Sequence, residues 1–123
     1  MFDEDTGLLQ GTVELLVLRA LAGGPLHGYG IASWIERATD DVLRVQEGSL
    51  YPALYRMARK GWIEGTWGTS ENNRRAKYYR LTAEGRRQLE VQATGWQRLS
   101  GAVSRALGGT RASQPAEAPG ATG

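Results

Sequence analysis

The segment ENNRRAK places Arg74, Arg75 and Lys77 directly after Asn72 and Asn73, and the segment GSLYPALYRMARKG before it carries Arg56, Arg59 and Lys60 beside Ser49, Tyr51 and Tyr55. Cations and hydroxyls in this order suit phosphate binding: guanidinium and ammonium groups neutralise a nucleic-acid backbone, and Ser or Tyr hydroxyls add hydrogen bonds to it. Catalysis is not expected. His27 is the single histidine, and although Glu47, Ser49 and His27 could be strung together on paper, no spacing motif ties them into a base and nucleophile. With no cysteine there is no thiolate zinc site, and with one histidine no multi-histidine metal site within one chain, so no metal or cofactor is expected.

Charge distribution sharpens this reading. Residues 1–55 hold three basic residues against eight acidic ones, a net −5, whereas residues 56–87 hold nine against three, a net +6. The whole-chain value of +2 conceals that block. A concentrated basic segment is the footprint of a phosphate-binding surface, although on charge alone a solvated face fits equally well.

Elements must position these groups. Leu9, Val13, Leu16, Val17 and Ala20 recur at helical spacing and predict a first helix over 9–22, stopped by Gly23, Gly24 and Pro25. A second helix over 28–39 presents Ile31, Trp34, Ile35 and Ala38, with Gly28 and Gly30 in its first turns marking a close approach to a helix or a phosphate. The connector DDVLRVQEG leads to a third helix over 49–60, with Ser49 as its N-cap and Pro52 in its first turn. Leu50, Leu54 and Met57 face inward there; Tyr51 and Tyr55 do not share that stripe. Gly61 ends this helix. Two strands, WIEGTW and AKYYRL, then flank a turn, with Tyr79 and Leu81 on one face and Tyr78 and Arg80 on the other. Thr82 caps a long last helix on which Leu89, Ala93, Trp96, Leu99, Val103 and Leu107 step by three or four. From Gly108 the low-complexity tail GGTRASQPAEAPGATG predicts disorder.

The segments LHGYGIASWIE, EGSLYPALYRMARKGWIEGTWG, ENNRRAKYYRLTAEG and GWQRLSGAVSRAL together resemble the PadR family of bacterial transcriptional regulators, over roughly residues 8–107. The likeness is to its compact branch, often encoded beside permease-type membrane proteins, in which one C-terminal helix replaces a larger domain. The resemblance implies a mainly α fold with a β wing: a winged helix-turn-helix with a long C-terminal dimerisation helix. The expected organisation is a flexible N-terminus over 1–7, a winged-helix DNA-binding domain over 8–82, the dimerisation helix over 83–107 and a disordered tail over 108–123. The implied function is a homodimeric repressor that binds a pseudo-palindromic operator in double-stranded DNA. Some relatives respond to small aromatic or drug-like compounds.

Candidate DNA-contacting residues are Tyr29 at the start of the second helix; Ser49, Tyr51, Pro52, Tyr55 and Arg56 on the third, which reads the major groove in such folds; and Asn73, Arg74, Arg75 and Lys77 in the wing. Arg59 and Lys60 are expected to be solvated or to touch the backbone. His27 is expected to cap or pack. Candidate dimer contacts are Leu9, Val13, Leu89, Ala93, Trp96, Leu99, Val103 and Leu107. Trp96 carries a second reading, as the wall of a cavity for a flat apolar effector; packing leads, because aromatics at helical spacing usually serve it. The competing function is a winged-helix protein-interaction module that has given up DNA. The acidic start MFDEDTGLLQ lacks a secretory pattern and no long apolar run occurs, so a cytoplasmic protein is expected.

Overall fold

The computed structural model describes the backbone of residues 7–109 and the side chains of residues 11–109. The expectations for 1–6 and 110–123, and for the Leu9 side chain, lie outside the described residues. Among the described residues four helices and three strands follow in the order α1 (Gly7–Leu21), β1 (Leu26–His27), α2 (Gly28–Ala38), α3 (Glu47–Arg59), β2 (Ile63–Thr69), β3 (Arg75–Leu81) and α4 (Ala83–Ala106). The chain divides into two compact units between Glu90 and Val91.

In the first unit the apolar stripes of α1, α2 and α3 meet the base of the β2–β3 hairpin. Val17, Leu18 and Leu21 from α1, Ile31 and Ile35 from α2, Leu50, Leu54 and Met57 from α3, and Ile63 and Leu81 from the hairpin are buried together. Each such side chain contributes about 1.5–3 kcal/mol by leaving water, which is what fixes α3 against α1 and α2. Val13, expected at a dimer contact, belongs to this core instead: its spacing from Val17 puts it on the buried stripe of α1, so it offers a partner no surface. Leu89 also packs against the core.

The sheet has the order β1–β3–β2, antiparallel throughout. Its register runs from Ile63 opposite Leu81 to Thr69 opposite Arg75. Strand alternation therefore gathers Gly65, Trp67, Lys77, Tyr79 and Arg75 on the face that begins at the core, and Glu64, Thr66, Tyr78 and Arg80 on the other. The two hairpin strands match the expected segments. The two-residue β1, pairing Leu26 with Tyr79 and His27 with Tyr78, was not legible in advance.

The start of α3 differs from expectation. Gln46 occupies the N-cap position in extended backbone, with no capping bond from its side chain, and the helix begins at Glu47. The Ser49 and Leu50 N–H groups both donate to the Gln46 carbonyl, at 2.9 Å each. Ser49 is thus a residue of the first turn, not the cap, and Pro52 lies inside the helix. Pro52 has no N–H to offer the Gly48 carbonyl, a loss confined to the exposed side of the helix. At the far end Gly61 has φ +80°; its N–H bonds the Ala58 carbonyl and the Trp62 N–H bonds that of Met57, a Schellman closure. Thr82 caps α4 as expected: its hydroxyl accepts from the Gly85 N–H at 3.0 Å and donates to the Gly61 carbonyl at 2.6 Å. Gly108 (φ +81°) and Gly109 close the other end of α4 on the carbonyls of Arg105 and Ser104.

Candidate nucleic-acid interface

The entry to α2 and the flank of α3 are locked to each other. His27 caps α2, its Nδ1 accepting from the Gly30 N–H at 3.0 Å, and its ring packs 5.1 Å from that of Tyr78. One residue on, a Cβ at Gly28 would collide with the Tyr51 hydroxyl and stand 2.8 Å from the ring carbon that bears it. The close approach expected at Gly28 is therefore made to a side chain of α3. Tyr51, though half-exposed, packs as well as presents. Tyr29 on α2 and Tyr55 on α3 are exposed, with the Arg59 guanidinium 5.8 Å from the Tyr55 ring centre.

The wing is pre-ordered by its own aromatics. Trp67 lies directly across from Lys77, and the Arg75 guanidinium stacks 4.4 Å from the Trp67 ring centre. Lys77 Nζ sits between the rings of Trp67, at 5.8 Å, and Tyr79, at 6.0 Å. Its stem lies across Gly65, where any Cβ would meet Lys77 Cε at 2.6 Å. Exposed cation–π contacts of this kind stabilise by about 0.5–1 kcal/mol each, and they limit the rotamers open to both cations. At the tip, Asn73 takes φ +61°, which an Asn tolerates; its N–H bonds Ser70 O, and the Ser70 N–H bonds Arg74 O, both at 2.8 Å.

Between α3, the start of α2 and the wing lies a cleft of about 460 Å³. It brings together Tyr29, Tyr51, Arg74, Arg75 and Lys77 of the expected site residues, and adds Trp67, Tyr79, His27 and Glu71. Ser49, Pro52, Tyr55, Arg56 and Asn73 do not line it; Pro52 and Tyr55 are exposed on the outer side of α3. Burial, and secondarily the Tyr51 phenol, push the Tyr79 phenol above its ordinary range. Glu71 is held below the usual carboxylate range by a backbone hydrogen bond, with His27 Nε2, 3.6 Å away, adding to the effect.

Arg56 departs most from the expectation of a base or phosphate contact. Its Nε donates to Glu14 Oε2 at 3.0 Å, so its charge is directed at α1. Two residues that matter here were missed. The period-two pattern of β2 could have placed Trp67 beside Lys77. The signal for Glu14 was an acidic residue set between Val13 and Val17, on a stripe otherwise apolar.

In the second unit Trp96, Leu99 and Val103 are 45%, 50% and 47% exposed, and Leu107 is more so; Ala93 is half-buried. Among the described residues no helix is long and apolar enough to cross a membrane, and no group of three or more His, Cys, Asp or Glu is placed to hold a metal ion.

A family model described as the transcriptional regulator PadR-like family matches residues 17–91, more than half of the chain. The chain belongs to the PadR-like family of transcriptional regulators. Members of this family are transcriptional regulators, not enzymes. A PadR-like transcriptional regulator from Bacillus cereus is similar along its full length: 31% identical, TM-score 0.70, with 85% of this chain and 100% of that one covered. A PadR from Bacillus subtilis, solved in complex with operator DNA, shares the fold at 23% identity and a TM-score of 0.60, over 67% of this chain and 46% of that one. An uncharacterized 37.1 kDa protein in transposon Tn4556 of Streptomyces fradiae is 42% identical over 90 residues, which are 73% of this chain. The match covers 24% of that protein, so the PadR-like chain spans about a quarter of its length.

Proposed function

We propose that this PadR-like regulator binds double-stranded DNA as a homodimer and represses transcription from a pseudo-palindromic operator. The observation that carries the reading is the convergence of Arg74, Arg75 and Lys77 with Tyr29 and Tyr51 around one cleft beside α3. In a helix-turn-helix the second helix of the motif enters the major groove, and a basic wing reaches phosphates beside it. The Bacillus subtilis relative in its operator complex supports the same use of the fold. Pairing through α4 would bury Trp96, Leu99 and Val103 and set two reading helices about one helical turn, or a multiple of it, apart. Repression is what the family resemblance implies. A flat apolar effector would need a gap in that interface beside Trp96; quenching of tryptophan fluorescence by an added aromatic compound in the wild type that is lost in Trp96→Phe supports that use over packing alone.

The test is fluorescence anisotropy with duplexes from the region upstream of the chain's own gene. For a dimer making about six to ten phosphate contacts, affinity falls roughly 10³–10⁵-fold between about 50 and 200 mM salt. Tight binding without salt dependence, or none to any duplex, overturns the reading.

A further inference from the structure

Glu14 on α1 is the buried charged side chain among the described residues, 8% exposed, and both of its oxygens are engaged by α3 and its cap. Oε2 takes the Arg56 Nε–H at 3.0 Å, and Oε1 lies 3.7 Å from Lys60 Nζ. Lys60 is further held 4.4 Å from the centre of the Trp62 ring. On the helical wheel of α3, Arg56 falls between the buried row of Leu50, Leu54 and Met57 and the exposed row of Pro52, Tyr55 and Arg59. Both cations therefore sit at the rim of the reading helix, within reach of solvent, yet face a carboxylate in their own chain.

A cation paired in this way adds no net charge toward a phosphate. Moving it outward would leave Glu14 buried with its counter-charge reduced, which is strongly unfavourable. We infer that Glu14 is a positioning residue that holds Arg56 and Lys60 against α1 and so withholds two cations of the reading helix from the DNA backbone. Electrostatic contact then falls to Arg59 and to the wing cations. Because phosphate contacts carry no sequence information, the arrangement restrains sequence-independent binding. The inference rests on the DNA-binding reading above.

Glu14→Gln in the full chain tests it: the shape is kept and the charge removed. Binding to a random-sequence duplex, measured by anisotropy over a salt series, should tighten by about tenfold near 0.15 M salt. The plot of log K against log salt should steepen by about 0.9 to 1.8 per protomer, for one or two new phosphate contacts. A merely structural role for Glu14 lowers the melting temperature and leaves that slope unchanged, which overturns the inference. Arg56→Gln alone strands Glu14 and can fail to fold, so the double variant Glu14→Gln/Arg56→Gln supplies a neutral pair; its slope should fall back by about 0.9 from that of Glu14→Gln. A folded Arg56→Gln protein whose slope is flatter than wild type also overturns it, because Arg56 would then already be on a phosphate. Wild-type protein that binds no duplex brings down the DNA-binding reading itself; salt-dependent wild-type binding with an unmoved Glu14→Gln slope brings down this inference alone.

Discussion

Gly28 and Tyr51 meet so closely that neither can be altered alone without consequence for the other. The atoms a new Cβ would strike are at the far end of the Tyr51 side chain, which can swing aside, and alanine is a better helix former than glycine by about 1 kcal/mol. Gly28→Ala should therefore not lower the melting temperature, and raises it by up to roughly 4–8 °C, the shift that about 1 kcal/mol produces in a small domain. The displaced phenol is another matter. If Tyr51 meets DNA from the side of the cleft, its movement should weaken binding to the chain's own promoter by about tenfold, the equivalent of one lost contact of roughly 1.4 kcal/mol. Anisotropy and thermal melting on the same preparation check both halves. Unchanged binding with a displaced ring would confine Tyr51 to packing α3 against α2.

At the scale of elements, the first turn of α4 gives a prediction in pH. The Glu84 carboxylate accepts from Arg87 Nε at 3.1 Å, from Arg87 Nη2 at 2.8 Å and from Gln88 Nε2 at 3.1 Å. The Arg87 hydrogen bonds lead, with Gln88 next, in holding its pKa below the ordinary 4.5. A carboxyl depressed in the folded state stabilises the fold above its unfolded pKa and loses that contribution as pH falls through the folded one. The melting temperature of wild type should thus drop relative to Glu84→Gln between about pH 5 and pH 3, and the two should run parallel above that window; parallel curves throughout would show that the first turn gains nothing from the charge. This turn was legible in advance, because Thr82 and Glu84 are local signals read within a few residues. So were the four helices, the hairpin and the Gly61 stop. Less legible were features decided across the chain. Ser49 is as good a cap as Gln46 is a poor one, yet the packing of Leu50 and Leu54 starts α3 two residues earlier. The strand β1 exists because β3 has an edge to pair with, and Leu26–His27 alone carries no β pattern. The Arg56 pairing, expected instead as a DNA contact, is of this kind, because nothing local to Arg56 names Glu14, 42 positions away.

At the scale of the whole molecule, the second half of α4 leaves apolar side chains in solvent. Trp96, Leu99 and Val103 share one stripe at spacings of three and four residues, and each is roughly half exposed. In the proposed homodimer a second copy offering the same stripe would cover both, and a two-fold pair is the commonest form of soluble oligomer. If the proposed pairing uses this stripe, Leu99→Asp places a carboxylate between Trp96 and Val103, where pairing would desolvate it. The expected product is a folded monomer by sedimentation velocity, with the circular dichroism of the first unit retained. Its affinity for a two-half-site duplex should fall by about 10²-fold or more, because linkage of two reading units supplies an avidity of 10²–10⁴ that a monomer forfeits. The salt slope should fall to about half, since half the phosphate contacts remain. Leu99→Met, which keeps the apolar stripe and its volume, should preserve both dimer and affinity. If Leu99→Asp stays dimeric, the seam lies elsewhere than on the Trp96–Val103 stripe, and the spacing of the two half-sites would have to be set by another surface of the chain.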